Sequence, residues 1–167
     1  MKMRNFILFS ILIFCLISCS ETPYYEKVYS FENNEWKQDQ KSVFKVNLDD
    51  TSSVYWFVLT LRTTTEYKYS NAWLFWKSKT PLQEEIREPF EMKITNPDGS
   101  WIGKSSGTVV ENQLTFAERK ITVPGEYMFT IEQAVTESVL DNVLDIGLSV
   151  YKGKSQSSSL KEEELSR

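Results

Sequence analysis

The sequence predicts an all-β fold, an antiparallel β-sandwich or jelly-roll-like domain. Two observations carry the prediction. Short segments with apolar residues at every second position recur along the chain, and Gly/Pro/Asn turn signals separate them. The connections are also too long for a plain meander, which favours two packed sheets over one.

The elements follow in chain order. Residues 1–18 read as a bacterial lipoprotein signal peptide: Lys2 and Arg4 precede the apolar run Phe6–Ile17, and Leu16-Ile17-Ser18-Cys19 closes it like a lipobox. That run is 12 residues, short of the roughly 20 a helix needs to cross a bilayer. Cys19 is therefore the expected lipidation site and the new amino terminus. One acyl chain holds only reversibly, and the three of a bacterial lipoprotein hold firmly. Ser20 follows the cysteine where an Asp would retain a lipoprotein at the inner membrane, so the expected location is the cell envelope, at the outer membrane. Glu21 is a single acidic residue and not the cluster that accompanies surface export.

Residues 19–38 are polar with scattered aromatics and read as a lipidated tether and irregular lead-in. The β-sandwich is expected over residues 39–152. Val43–Leu48 alternates, with Phe44, Val46 and Leu48 on one face. Val54–Leu61 is apolar on both faces, as a central strand is. Glu66–Trp76 is aromatic and branched enough for another strand. Phe90–Ile94, Glu126–Ile131 and Ile146–Val150 complete the series, with turns at Asn96–Gly99, Lys104–Gly107 and Pro124-Gly125. Ser138–Leu144 reads either as a helical turn, from the spacing of Leu140 and Leu144, or as a bent strand. Residues 153–167, with Ser157–Ser159 and Glu162–Glu164, form a tail expected to be flexible.

Removing residues 1–18 leaves 149 residues, enough for one domain with its own core. The formal charge falls from −4 to −6 as Lys2 and Arg4 leave. That argues against nucleic acid, whose backbone calls for a concentrated Lys/Arg surface. It argues equally against an electrostatic hold on anionic lipid. Cys15 leaves with the peptide and Cys19 takes the lipid, so the mature chain forms no internal disulfide. There is no histidine, which removes the commonest general base and zinc ligand.

The remaining polar groups read as structural. Asp49 and Asp50 are adjacent, so they point to opposite faces of a strand and converge only in a turn, and they read as a solvated strand end. Asp98-Gly99 fits turn geometry better than calcium. Glu84, Glu85 and Glu88 lack EF-hand spacing. A Ser-His triad is impossible, so no enzyme activity, cofactor or metal is expected.

The aromatics are the functional signal. Trp73 and Phe75 share one face of the predicted strand and Trp76 takes the other. Tyr67 and Tyr69 fall on the face of Trp73. Trp101, between Gly99 and Gly103, sits beside a hairpin turn and is expected to be partly exposed. Arg62, at a strand end, has five donors to span carboxylates or carbonyls. Asn71 is expected to pin a bulge. Trp73, Trp101, Tyr67, Tyr69 and Arg62 are thus the candidate interaction surface.

From Tyr29 to Lys152 the chain resembles the gliding-motility lipoprotein H (GldH) family of Bacteroidetes. The resemblance rests on the lipobox, Trp36 through Phe44, Leu61-Arg62, Tyr67–Asn71 and Trp73-Leu74. It continues through Asp98–Gly103, Gly107, Gly125–Phe129, Gln133, Leu140 and Ile146–Leu148. It implies a lipid-anchored part of the gliding-motility and allied type IX secretion machinery, with protein partners there and no catalytic residues. The chain departs from the family after Gln133, carrying Val135-Thr136 where Met-Arg is usual. Two classes of function follow: a structural or assembly lipoprotein, and a lipid-anchored module binding glycan or peptide. An exposed flat patch favours a protein partner. A concave groove lined by Trp73 and Trp101 favours a glycan.

Overall fold

The computed structural model describes residues 22–153, without the side chains of residues 116–118. The expected signal peptide, Cys19 and residues 154–167 lie outside the described residues. The strands are β1 (Tyr25–Ser30), β2 (Glu35–Lys37), β3 (Ser42–Leu48), β4 (Val54–Thr64), β5 (Asn71–Lys79), β6 (Ile86–Lys93), β7 (Lys104–Ser106), β8 (Val109–Lys120), β9 (Gly125–Gln133), β10 (Val139–Asp141) and β11 (Val143–Gly153). A five-stranded sheet in the order β1-β11-β4-β8-β7 packs on a four-stranded sheet in the order β3-β9-β5-β6. A short β10-β2 ribbon completes the set, and the strand pairs are antiparallel. This is the expected all-β sandwich.

Alternation decides which side chains meet. On β4, Tyr55, Phe57, Leu59 and Leu61 point inward and are buried. Their partners on β11, Ile146, Leu148 and Val150, do the same. The four-stranded sheet answers with Phe44, Val46 and Leu48 of β3 and Tyr127, Phe129 and Ile131 of β9. Burying each such side chain is worth about 1.5–3 kcal/mol, so the two inner faces form one continuous core. Edge-on ring contacts tie the layers, with the Phe57 and Phe129 centroids 5.1 Å apart.

Several segments differ from the sequence expectation. The lead-in 19–38 contains two strands. β1 pairs with β11 over its whole length, and Trp36 of β2 is fully buried, stacked on Phe31 at 4.8 Å. β1 is an edge strand with few apolar residues, so its alternation is weak. The strand expected from Glu66 begins only at Asn71, because a turn at Thr64 intervenes: the Tyr67 amide donates to the Thr64 carbonyl at 3.1 Å. Ser138–Leu144 is the bent-strand alternative, with Asn142 at φ 64° between β10 and β11. β8 has no counterpart in the sequence expectation. Its inward series is Val110, Asn112, Leu114, and the buried Asn112 interrupts the apolar pattern.

The Asn96–Gly99 turn forms as expected, with the Gly99 amide donating to the Asn96 carbonyl at 2.9 Å. Gly99 sits at φ 85°, a region L side chains rarely adopt. Gly103 has a different reason for being glycine. A Cβ there would lie 2.2 Å from the Glu111 carbonyl oxygen.

Candidate functional site: the outer face of the four-stranded sheet

β5 alternates as the sequence indicates. Ala72, Leu74 and Trp76 turn to the core, and Trp76 meets Phe129 at 5.0 Å. Trp73 and Phe75 turn outward. Trp73 is 45% exposed, flanked by Glu91 of β6. Its carbonyl accepts the Ala134 amide at 2.8 Å, so the backbone beneath the ring is held in the sheet. Phe75 lies between Pro89 of β6 and Glu132 of β9. The Arg87 guanidinium stacks 3.4 Å over its ring centroid, a contact worth about 0.5–1 kcal/mol at an exposed site.

Glu132 organises the rest of this face. Lys77 Nζ donates to it at 2.8 Å, Lys41 lies 3.4 Å away and Arg87 3.8 Å away. Burial pushes its carboxyl up, but the bond and charge of Lys77, joined by Lys41, pull it down further, so the net is a carboxylate held below its ordinary range. Three cations on one nearly buried carboxylate fix Lys77 and Arg87 beside the aromatic row. The result is a preorganised surface of exposed Trp73, a cation-capped Phe75 and a fixed charge lattice.

The other sequence candidates do not join this face as one surface. Tyr67 turns into the core at 5% exposure and donates from its hydroxyl to the Asn71 carbonyl at 3.0 Å. Burial, then Tyr69, raises its phenol well above the usual value. It is a packing residue, because the turn after β4 takes it off the strand that would have carried it outward. Tyr69 stays exposed, with its ring edge-on to Tyr67 at 5.7 Å. Trp101 is partly exposed, bridges Thr95 through its backbone and packs against the core. Arg62 is on the other sheet, gripping Asp145. Asn71 starts β5 and donates to Glu91 at 2.7 Å. The ladder irregularities fall elsewhere, between Tyr55 and Phe57 and between Val143 and Asp145. Sequence reasoning missed Glu132, Lys77, Lys41 and Arg87. The outward alternation of Lys77 with Phe75 was the available signal.

The paired aspartates do separate jobs. Asp49 accepts from the Tyr24 hydroxyl at 3.2 Å. Asp50 accepts from the amide and hydroxyl of Ser52 and the hydroxyl of Ser53, and pairs with Lys152 at 3.1 Å. Those bonds hold the Asp50 carboxyl far below its usual range. Among the described residues, no group of three or more His, Cys, Asp or Glu is placed to hold a metal ion.

A cavity of about 840 Å³ opens between the sheets at one end, among Leu48, Phe57, Trp76, Phe90, Ile121 and Phe129. Neither Trp73 nor Trp101 lines it.

Two antiparallel sheets packed face to face define an all-β protein of the sandwich class. The chain belongs to the GldH lipoprotein family, whose model matches residues 23–150. It is 29% identical over 153 residues to the gliding motility lipoprotein GldH homolog of Christiangramia forsetii, covering 87% of this chain and 92% of that one. It is 24% identical over 157 residues to the gliding motility lipoprotein GldH of Flavobacterium johnsoniae, covering 90% and 98%. Among solved structures, the dimeric latent PorU of Porphyromonas gingivalis aligns with a TM-score of 0.34 at 10% identity, over 81% of this chain and 13% of that one. That likeness is too slight to carry an argument.

Proposed function

We propose that this protein is a structural or assembly component of the gliding-motility apparatus and the allied type IX secretion machinery. The lipid on Cys19 anchors it at the outer membrane, and a protein partner binds the outer face of β5 and β6. The family and its motility-named relatives support the setting. The observation that carries the binding face is Trp73, a large aromatic left 45% exposed on a regular strand with its neighbours locked by Arg87 and Glu132. Aromatic and Arg anchors on a rigid platform are the usual centres of protein interfaces. The cavity at the end of the sandwich is lined by neither Trp73 nor Trp101, so these aromatics offer no groove there to a glycan.

The test is recovery of the complex from solubilised native membranes with wild type and Trp73→Ala, alongside thermal unfolding of both proteins. The expected result is a loss of partner recovery of at least tenfold, with melting little changed. Equal recovery from both would overturn the assignment.

A further inference from the structure

We infer that the end of the sandwich bearing the β5–β6 loop rests in the acyl boundary of the bilayer, with Leu82 and Ile86 as its lipid contacts. The inference rests on the anchoring of Cys19. The registers place several chain ends together: Tyr25 at Val150, Gly153 at Val54, Val54 at Lys120 and Leu48 at Gly125. The β5–β6 loop belongs to the same end, since a Cβ on Gly125 would touch Pro81 at 2.8 Å. The first described residue, Thr22, leads into β1 there as well.

The reach of the tether then sets the geometry. Tyr25 lies six positions after Cys19, at most about 20 Å of extended chain. The long strands carry the opposite end about 35 Å away. So the short tether holds this end, and not the far one, at the membrane. Both ends leave apolar side chains in the open, Ile102 at the far one, but the most exposed among the described residues is Leu82 at this one. Leu82 is 73% exposed and Ile86 47% exposed, and both sit at the mouth of the apolar cavity. The loop is shaped to hold Leu82 outward, because Thr80 Oγ1 accepts the amides of Leu82 and Gln83 at 3.3 and 3.1 Å. Charges at this end are mixed, with Arg119, Lys120 and Lys152 against Asp49, Asp50, Glu84 and Glu85. Attachment is therefore apolar and works on a neutral bilayer.

The experiment uses the full lipidated protein in phosphatidylcholine vesicles. With Cys15 removed and Cys19 capped, Gln83→Cys supplies a single thiol for an environment-sensitive fluorophore, and Glu66→Cys labels the far end. Quenching by a nitroxide carried on lipid acyl chains should be at least threefold stronger at 83 than at 66, and Leu82→Asp should abolish the difference. The mass of the amino-terminal peptide is measured on the same sample. Lipidated Cys19 with equal quenching at both positions overturns this inference alone. An unmodified Cys19 overturns the anchoring reading and this inference with it.

Discussion

Arg62 of β4 grips Asp145 of β11 through three N–H···O contacts, Nε to both carboxylate oxygens at 2.8 and 3.0 Å and Nη2 to one at 2.7 Å. The pair closes the ladder where its register shifts between Val143 and Asp145. Asp145 is nearly buried while Arg62 is partly exposed, so losing the arginine strands the carboxylate. Arg62→Ala should lower stability by about 1–3 kcal/mol, seen as a lower urea midpoint at unchanged slope. Arg62→Lys should recover only part of it, because an ammonium cannot reproduce the fork.

Glu132 should give the acid limb of the stability curve part of its steepness. Its folded carboxyl lies below the ordinary value. The stabilisation is therefore complete above the unfolded Glu range, about pH 4.3, and drains as pH falls through the lower folded value. Melting of wild type and Glu132→Gln, measured from pH 7 to 3 at fixed ionic strength, should differ most near neutrality and converge at the acid end. A gap that widened on acidification would contradict this.

Two glycines should fail for different reasons. Gly103→Ala forces a methyl onto the Glu111 carbonyl and the Asn112 side chain and should cost about 1–3 kcal/mol by overpacking. Gly99→Ala meets nothing within 4 Å but must adopt φ 85°, costing about 1 kcal/mol from backbone strain. Gly99→Asn should recover part of the second loss, and Gly103→Asn none of the first. Thermal unfolding of the four variants checks this.

Tyr67 and Trp73 should separate core from surface. Tyr67→Ala empties a buried site and should cost about 3–5 kcal/mol, while Trp73→Ala should stay within about 1 kcal/mol of wild type. Tyr67→Phe loses the bond to the Asn71 carbonyl and should cost about 1 kcal/mol. Denaturant titration of the three variants is the measurement.

The parts of the fold legible in the sequence were those with unbroken alternation, β3, β9 and β11, and the continuous apolar run of β4. β8 was hidden because Asn112 occupies an inward position, and β1 because an edge strand needs few apolar residues. The faces of Trp73, Phe75 and Trp76 followed from period two alone. Tyr67 did not, because the turn at Thr64 resets the phase, and no run of side chains announces a turn that a backbone bond to Thr64 makes. The charge lattice on Glu132 was illegible for a topological reason. Lys41, Lys77 and Arg87 reach it from the approach to β3, from β5 and from β6, and only the strand order β3-β9-β5-β6 brings them together.

The central claim, that the outer face of β5 and β6 meets a protein partner, is tested most directly by site-specific photocrosslinking in intact cells. A benzophenone amino acid placed at Trp73 is compared with one at Thr60, on the outer face of the opposite sheet. The claim predicts a discrete crosslinked protein from position 73 and none from position 60. Crosslinks from position 60 alone, or from neither, would contradict it.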